Sequence, residues 1–289
     1  SYCDRALGIT SAEEQPVLPK GNNLSLYLLE LFTSQVAKVG MTDGIRQVLQ
    51  EESDALRAYY EQAGILIARP AGGTSCRLAI SAKGGTNAEN HNHNDVGSYA
   101  VALGSETMVG DQGGPNSYPG DYFNGDAPQK YKIKGSFGHP VPVVDGRTQS
   151  SGGKAKGVVL QKEFTNEKDV FSIDYTSAYS TPNLDKLIRT FVYDRQGKGS
   201  FTVGDEFTAK TPIRFETAIT TRADWKILDD THLLLATDSE QMIVAIDASG
   251  KVAFTSETIE VNSPAYTRIG IALKNQSKEG YIRLKMYTK

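Results

Sequence analysis

Cysteine is scarce in this 289-residue chain: only Cys3 and Cys76 occur, far apart and outside any metal-like spacing. They build neither a disulfide framework nor a zinc knuckle, so cysteine usage leaves the compartment open. Charge of one sign is also lacking. The 31 Lys and Arg against 34 Asp and Glu leave a formal net charge of −3, which gives no broad basic field for nucleic acid or an anionic membrane. Any polyanionic ligand must therefore be held by a local site. No window approaches the roughly eighteen apolar residues of a membrane span. The first residues, Ser1-Tyr2-Cys3-Asp4-Arg5, lack the charged-then-apolar layout of a secretory signal, and the chain reads as if cut from something longer. Internal repeats and low-complexity tracts are missing too.

What is present is about 39% hydrophobic content, enough for one large all-β domain with a small helical lead-in. Residues 24–39 place Leu, Tyr and Phe at three- and four-residue spacing, which predicts an amphipathic helix. A second helix is predicted from Thr42-Asp43 through Ile45, Val48, Leu49, Leu56 and Tyr59, stopping near Gly64. Beyond it the texture is short β-rich runs separated by Gly, Pro, Asn and Ser clusters, at 65–69, 77–81, 99–103, 107–109, 158–160, 170–173, 188–193 and 200–203. Further runs at 214–220, 233–236, 242–246, 252–255, 267–273 and 281–286 bring the count to roughly a dozen strands. Crossover helices are missing, which excludes a doubly wound parallel fold. The expected organisation is a helical lead-in over 1–62 and a large antiparallel β-sandwich over 63–289, mainly β in class.

Three of the four histidines fall between residues 91 and 139. Two sit in Asn90-His91-Asn92-His93-Asn94-Asp95, where alternation along an extended strand would turn His91 and His93 to one side. Imidazoles so placed can share a metal, or put one ring on a metal and the other at a substrate. An Asn-rich stretch is equally a polar turn. Asp111 follows the apolar run Thr107-Met108-Val109-Gly110, a strand end opening into a Gly-rich loop, and His139 opens another predicted strand. Two histidines and a carboxylate make a three-ligand metal site completed by water or a fourth group.

The order Gly84-Gly85-x-Asn87-Ala88-Glu89-Asn90-His91-Asn92-His93-Asn94-Asp95-x-Gly97-Ser98-Tyr99, then Asp111-x-Gly113, then the His139 segment ending Asp145-Gly146-Arg147-Thr148-Gln149, resembles the heparinase II/III-like polysaccharide lyases over residues 60–150. The resemblance implies the C-terminal antiparallel β-sandwich of such an enzyme, with most of its N-terminal (α/α) toroid missing and the predicted helices as its last portion or linker. It implies His93, Asp111 and His139 as metal ligands, zinc as the usual ion, and Asn90 and His91 as a cleft-facing pair. The implied ligand is an acidic, uronate-containing polysaccharide, and the implied setting is periplasmic or secreted.

β-Elimination at a 4-linked uronate needs the carboxylate neutralised, the C5 proton removed and the departing O4 protonated. Asn90 suits the first task, as a hydrogen-bond donor to developing enolate charge. A His or Tyr serves as base and a Tyr as acid. By the family pattern of a cleft tyrosine after the acidic ligand, Tyr122 is the candidate, with Tyr118 beside it for substrate binding. Arg147 and Gln149 either line the cleft or are a solvated strand end. His232 reads as a turn residue, and Trp225 as a core aromatic rather than a sugar-stacking one. Two other readings stand beside the lyase: a non-catalytic carbohydrate-binding or structural sandwich, and a metal-dependent glycan hydrolase in which His91, His93, Asp111 and His139 activate water.

Overall fold

The computed structural model describes residues 55–289, apart from Asn90, residues 111–113, Asn116 and Asn262. Leu56–Lys289 form one compact unit, which is mainly β. The helices predicted before residue 55 lie outside the described residues.

The described strands form antiparallel sheets. Five of them, β1 (Arg57–Tyr60), β2 (Ile65–Ala68), β3 (Leu78–Lys83), β5 (Tyr99–Leu103) and β6 (Glu106–Val109), pair in that order. Between β3 and β5, the short β4 (Thr86–Asn87) pairs with β8 (Gly152–Lys156). An eight-stranded sheet runs from edge to edge as β14 (Asp224–Asp229), β15 (His232–Ala236), β16 (Gln241–Ala248), β19 (Ser277–Thr288), β12 (Ser200–Ile213), β11 (Leu184–Asp194), β10 (Lys168–Asp174) and β9 (Val158–Phe164). A four-stranded sheet orders β17 (Val252–Val261), β18 (Ser263–Leu273), β13 (Phe215–Thr221) and β7 (Val143–Val144). The one α-helix among the described residues, α1 (Ala127–Lys130), is a single turn.

These elements form because apolar residues alternate along them. In β3, Leu78, Ile80 and Ala82 are buried while the residues between are half-exposed, the period-two pattern of a strand with one covered face. One continuous apolar core joins residues of the five-, eight- and four-stranded sheets. The predicted strands are recovered, most with longer ends, and β1, β4, β8 and β14 are additional. The helix expected to run to Gly64 is corrected at its end: residues 57–60 are strand β1, paired with β2 from Arg57 opposite Ala68 to Tyr60 opposite Ile65. Tertiary contacts overrode the helical spacing. Tyr59 packs on Phe164 and Phe171 at 5.6 and 5.8 Å between ring centroids, and Arg57 donates to Asp169 at 2.8 Å. Gly64 turns the hairpin at φ +61, and a Cβ there would come within 2.8 Å of the Gly85 nitrogen, so only glycine fits.

At the junction of the sheets Arg189 of β11 is fully buried. Its Nε and Nη2 donate to the two carboxylate oxygens of Asp205 on β12 at 2.7 and 2.6 Å. Nη1 donates to the carbonyls of Gly97 and Pro140, both at 2.7 Å, and Nη2 also donates to the Thr217 hydroxyl of β13 at 3.1 Å. Asp205 accepts further bonds from the hydroxyls of Thr217, at 2.7 Å, and Tyr175, at 2.6 Å. Burial opposes the Arg189 charge, and the Asp205 carboxylate more than offsets it, so the guanidinium pKa is raised. Removing one partner of such a pair strands a buried charge. Arg189→Met is expected to lower unfolding free energy by about 3–5 kcal/mol, read as a shifted urea midpoint; an unshifted midpoint would show that the network holds nothing.

Candidate functional site

The segment 88–98 between β4 and β5 carries the predicted histidines and is a loop, not the extended strand expected. His91 adopts φ +59, in the left-handed region that Asn, Asp and His enter more readily than most residues. The two rings reach the same neighbouring loop all the same. His91 meets the ring of Phe123 at 4.9 Å, edge-on, and His93 Nε2 lies 3.1 Å from the Tyr122 hydroxyl.

The loop is held by a buried amide network. Gln149 accepts at Oε1 from Asn87 Nδ2 at 2.9 Å and from the Val96 N–H at 3.1 Å. Its Nε2 donates to the Val96 carbonyl at 2.7 Å and to the Tyr179 hydroxyl at 3.4 Å. Asn87 also accepts the Asp95 N–H at 3.1 Å, and the Asn94 N–H donates to the Lys134 carbonyl at 2.9 Å. Gln149, expected in the cleft or at a solvated strand end, is neither: it is buried and both ends of its amide are engaged within the protein, because a loop without ladder hydrogen bonds must find partners for its buried polar groups elsewhere.

Facing this loop, residues 114–139 wrap over a small aromatic cluster of Tyr122, Ile133, Ile259 and Tyr266, with Tyr131 and Phe137 packed against it. Tyr122 is buried, 1% exposed, with its hydroxyl directed to His93. Lys134, also buried, donates to the Tyr122 carbonyl and sets its ammonium 4.8 and 4.9 Å from the ring centroids of Tyr122 and Phe123. Burial lowers the Lys134 pKa. A single 3-10 turn, Ser136–Gly138, delivers His139, where a strand start was expected; β7 begins only at Val143. Gly138 permits this, since a Cβ there would lie 2.3 Å from the Lys132 carbonyl. His139 Nε2 donates to the Ile133 carbonyl at 3.0 Å, so in the neutral ring the lone pair is on Nδ1. The rings of His93 and His139 stand 5.2 Å apart at 57°.

The structure thus brings together His93, Tyr122 and His139, with His91 against Phe123 of the same loop and Tyr118 5.0 Å from Tyr122 between ring centroids. Asn90 and Asp111 lie outside the described residues. Gly110, just before Asp111, is fixed to Thr220 of β13 by bonds of 3.0 Å from its N–H and 2.6 Å to its carbonyl. Arg147 sits exposed beyond the Asp145–Gly146 turn, whose two residues have φ +50 and +76. Among the described residues no three His, Cys, Asp or Glu side chains gather as a ligand group. Trp225 lies partly buried against the core as expected, and His232, at the start of β15, pairs with Asp229 at 3.0 Å. Sequence reasoning passed over Lys134 and Phe123: nothing in Tyr131-Lys132-Ile133-Lys134 marks one lysine for burial, and Phe123 was masked by the tyrosines around it.

No family model matches the sequence, and no curated protein matches it. Solved structures do. Heparan sulfate lyase HepC from Pedobacter heparinus is 14% identical, with a TM-score of 0.69 over 94% of this chain and 42% of that one. A structure of heparinase III is 17% identical, with a TM-score of 0.63 over 80% of this chain and 36% of that one. Another heparinase III gene product is 12% identical, with a TM-score of 0.64 over 91% and 41%. The chain spans less than half the length of each of these structures, and its fold is the β-sandwich of a heparinase-like C-terminal part.

Proposed function

We propose that this chain is the β-sandwich part of a polysaccharide lyase that cleaves uronate-containing acidic polysaccharide by β-elimination, in a periplasmic or secreted setting. The observation that carries the reading is the meeting of His93, Tyr122 and His139, with His91 seated on Phe123 of the same loop. The fold shared with heparinase III and a heparan sulfate lyase supports it.

In the proposed reaction the C5–H bond breaks as a base takes the proton. The electron pair is delocalised into the uronate carboxylate, then forms the C4=C5 double bond as the C4–O4 bond breaks, and the leaving oxygen takes a proton. In this reading His91, exposed on its left-handed turn, acts as base, and Asn90 is assigned to the uronate carboxylate. Tyr122 acts as the acid, its hydroxyl oriented by His93. Tyr118 lies where the polymer would pass. Arg147, at its exposed turn, is assigned to binding an acidic group at the rim.

His93 and His139, with Asp111 as the third ligand, would hold a divalent cation, most simply zinc. The rings of His93 and His139, 5.2 Å apart between centroids, are close enough for both to reach one ion. Such an ion would brace the two loops and favour negative charge nearby. His93 Nε2 already faces the Tyr122 hydroxyl, so ligation through that nitrogen requires the phenol to shift.

Two outcomes are expected. Incubation with heparan sulfate and other uronate polymers gives the ultraviolet absorbance of an unsaturated uronate, and His91→Ala lowers that rate by at least about 10²-fold. New reducing ends without absorbance would instead identify a hydrolase, and binding without either product a non-catalytic sandwich. Separately, metal analysis of purified protein should find about one equivalent of zinc, lost in His93→Ala and His139→Ala, with affinity falling on acidification because the ligands must be deprotonated. Full zinc retention in both variants would refute the assigned ligands.

A further inference from the structure

Among the described residues seven large apolar side chains are well exposed, and Tyr118 (49%) and Phe123 (52%) are the two whose rings touch, at 5.2 Å between centroids. Both lean on the buried Tyr122 ring, at 5.0 and 5.4 Å, so they are backed by packed structure while open to solvent. Gly114 fixes the other side of Tyr118, since a Cβ there would come within 2.8 Å of its hydroxyl. Aromatic surface left open in this way, packed on a buried ring and beside a cluster of titratable groups, is a candidate binding surface.

The charges around it are unequal. Lys130 is matched by Asp121 and Lys132 by Glu257. Lys134 lies beneath the rings, and no carboxylate among the described residues pairs with it. Its charge sits where screening by water is weak.

We propose that Phe123 and Tyr118 form a stacking platform for a pyranose ring of the glycan, next to the ring at which His91 acts, with the Lys134 ammonium drawing an acidic substituent to the platform's rim. The proposal rests on the reading of the chain as a binder of acidic glycan. A pyranose offers one face of C–H groups, and these pack against aromatic faces while the hydroxyls remain in water. His91, edge-on to Phe123 at 4.9 Å, makes the platform continuous with the proposed reaction centre.

The test is calorimetric titration of the chain with a heparan sulfate tetrasaccharide and with a neutral cello-oligosaccharide. The acidic oligosaccharide should bind, Phe123→Leu should weaken it about tenfold, and Phe123→Trp should restore it. Tyr118→Leu gives the same reading if Phe123→Leu does not fold. Unchanged affinity in both leucine variants overturns the platform and leaves the lyase proposal intact. Binding of the neutral oligosaccharide alone, lost in the leucine variants, keeps the platform and refutes the acidic substrate. No binding of either overturns both.

Discussion

Arg189 is the point on which the rest of this architecture hangs. Its five N–H groups are all spent: two on Asp205 of the adjacent strand, one on Thr217 of another sheet, and two on the carbonyls of Gly97 and Pro140. A lysine offers three donors from one point and cannot span this fork. Gly97 ends the histidine loop and Pro140 follows His139, so one buried cation fixes both approaches to the site relative to the β-sheets. The arrangement is costly in desolvation, and apolar residues of the same volume would stabilise as well or better. What an apolar core does not supply is direction, the holding of two irregular segments at a set separation.

The site repeats that logic with an amide and a lysine. Gln149 takes the part of Arg189, bonding Asn87 and Val96 on one side and Tyr179 on another. Lys134 does the same from below, with its carbonyl accepting from Asn94 and its ammonium bonded to the Tyr122 carbonyl. Loops that carry function are mobile unless their backbone groups find partners. Here the partners are Arg189 of β11 and the side chains of Gln149 and Lys134 in the flanking turns, and His93, Tyr122 and His139 meet where these three converge.

Much of the fold was legible in the residues. Alternation in Leu78, Ile80 and Ala82, or in Tyr99, Val101 and Leu103, forces a strand, since only a period of two buries one face of it. Local spacing failed where non-local contacts decided the outcome. Tyr59 looked helical because residues 45–59 repeat at three and four, yet Phe164 and Phe171, more than a hundred residues away, claim its ring. The histidine pair was legible as chemistry and misread as geometry: the two rings reach one loop through a left-handed turn at His91, not through strand alternation.

By itself the sequence determined the class of the fold, the run of strands and the residue types able to ligate or transfer a proton, because these follow from periodicity and side-chain chemistry that need no partner. Only the tertiary structure decided that Gln149 is a strut and not a wall of the cleft, that Lys134 lies under Tyr122 and Phe123, and that His93 meets His139 across 46 positions of chain. Those outcomes depend on which distant backbone groups require a partner once the sheets are packed, and the sequence around each residue carries no record of that need.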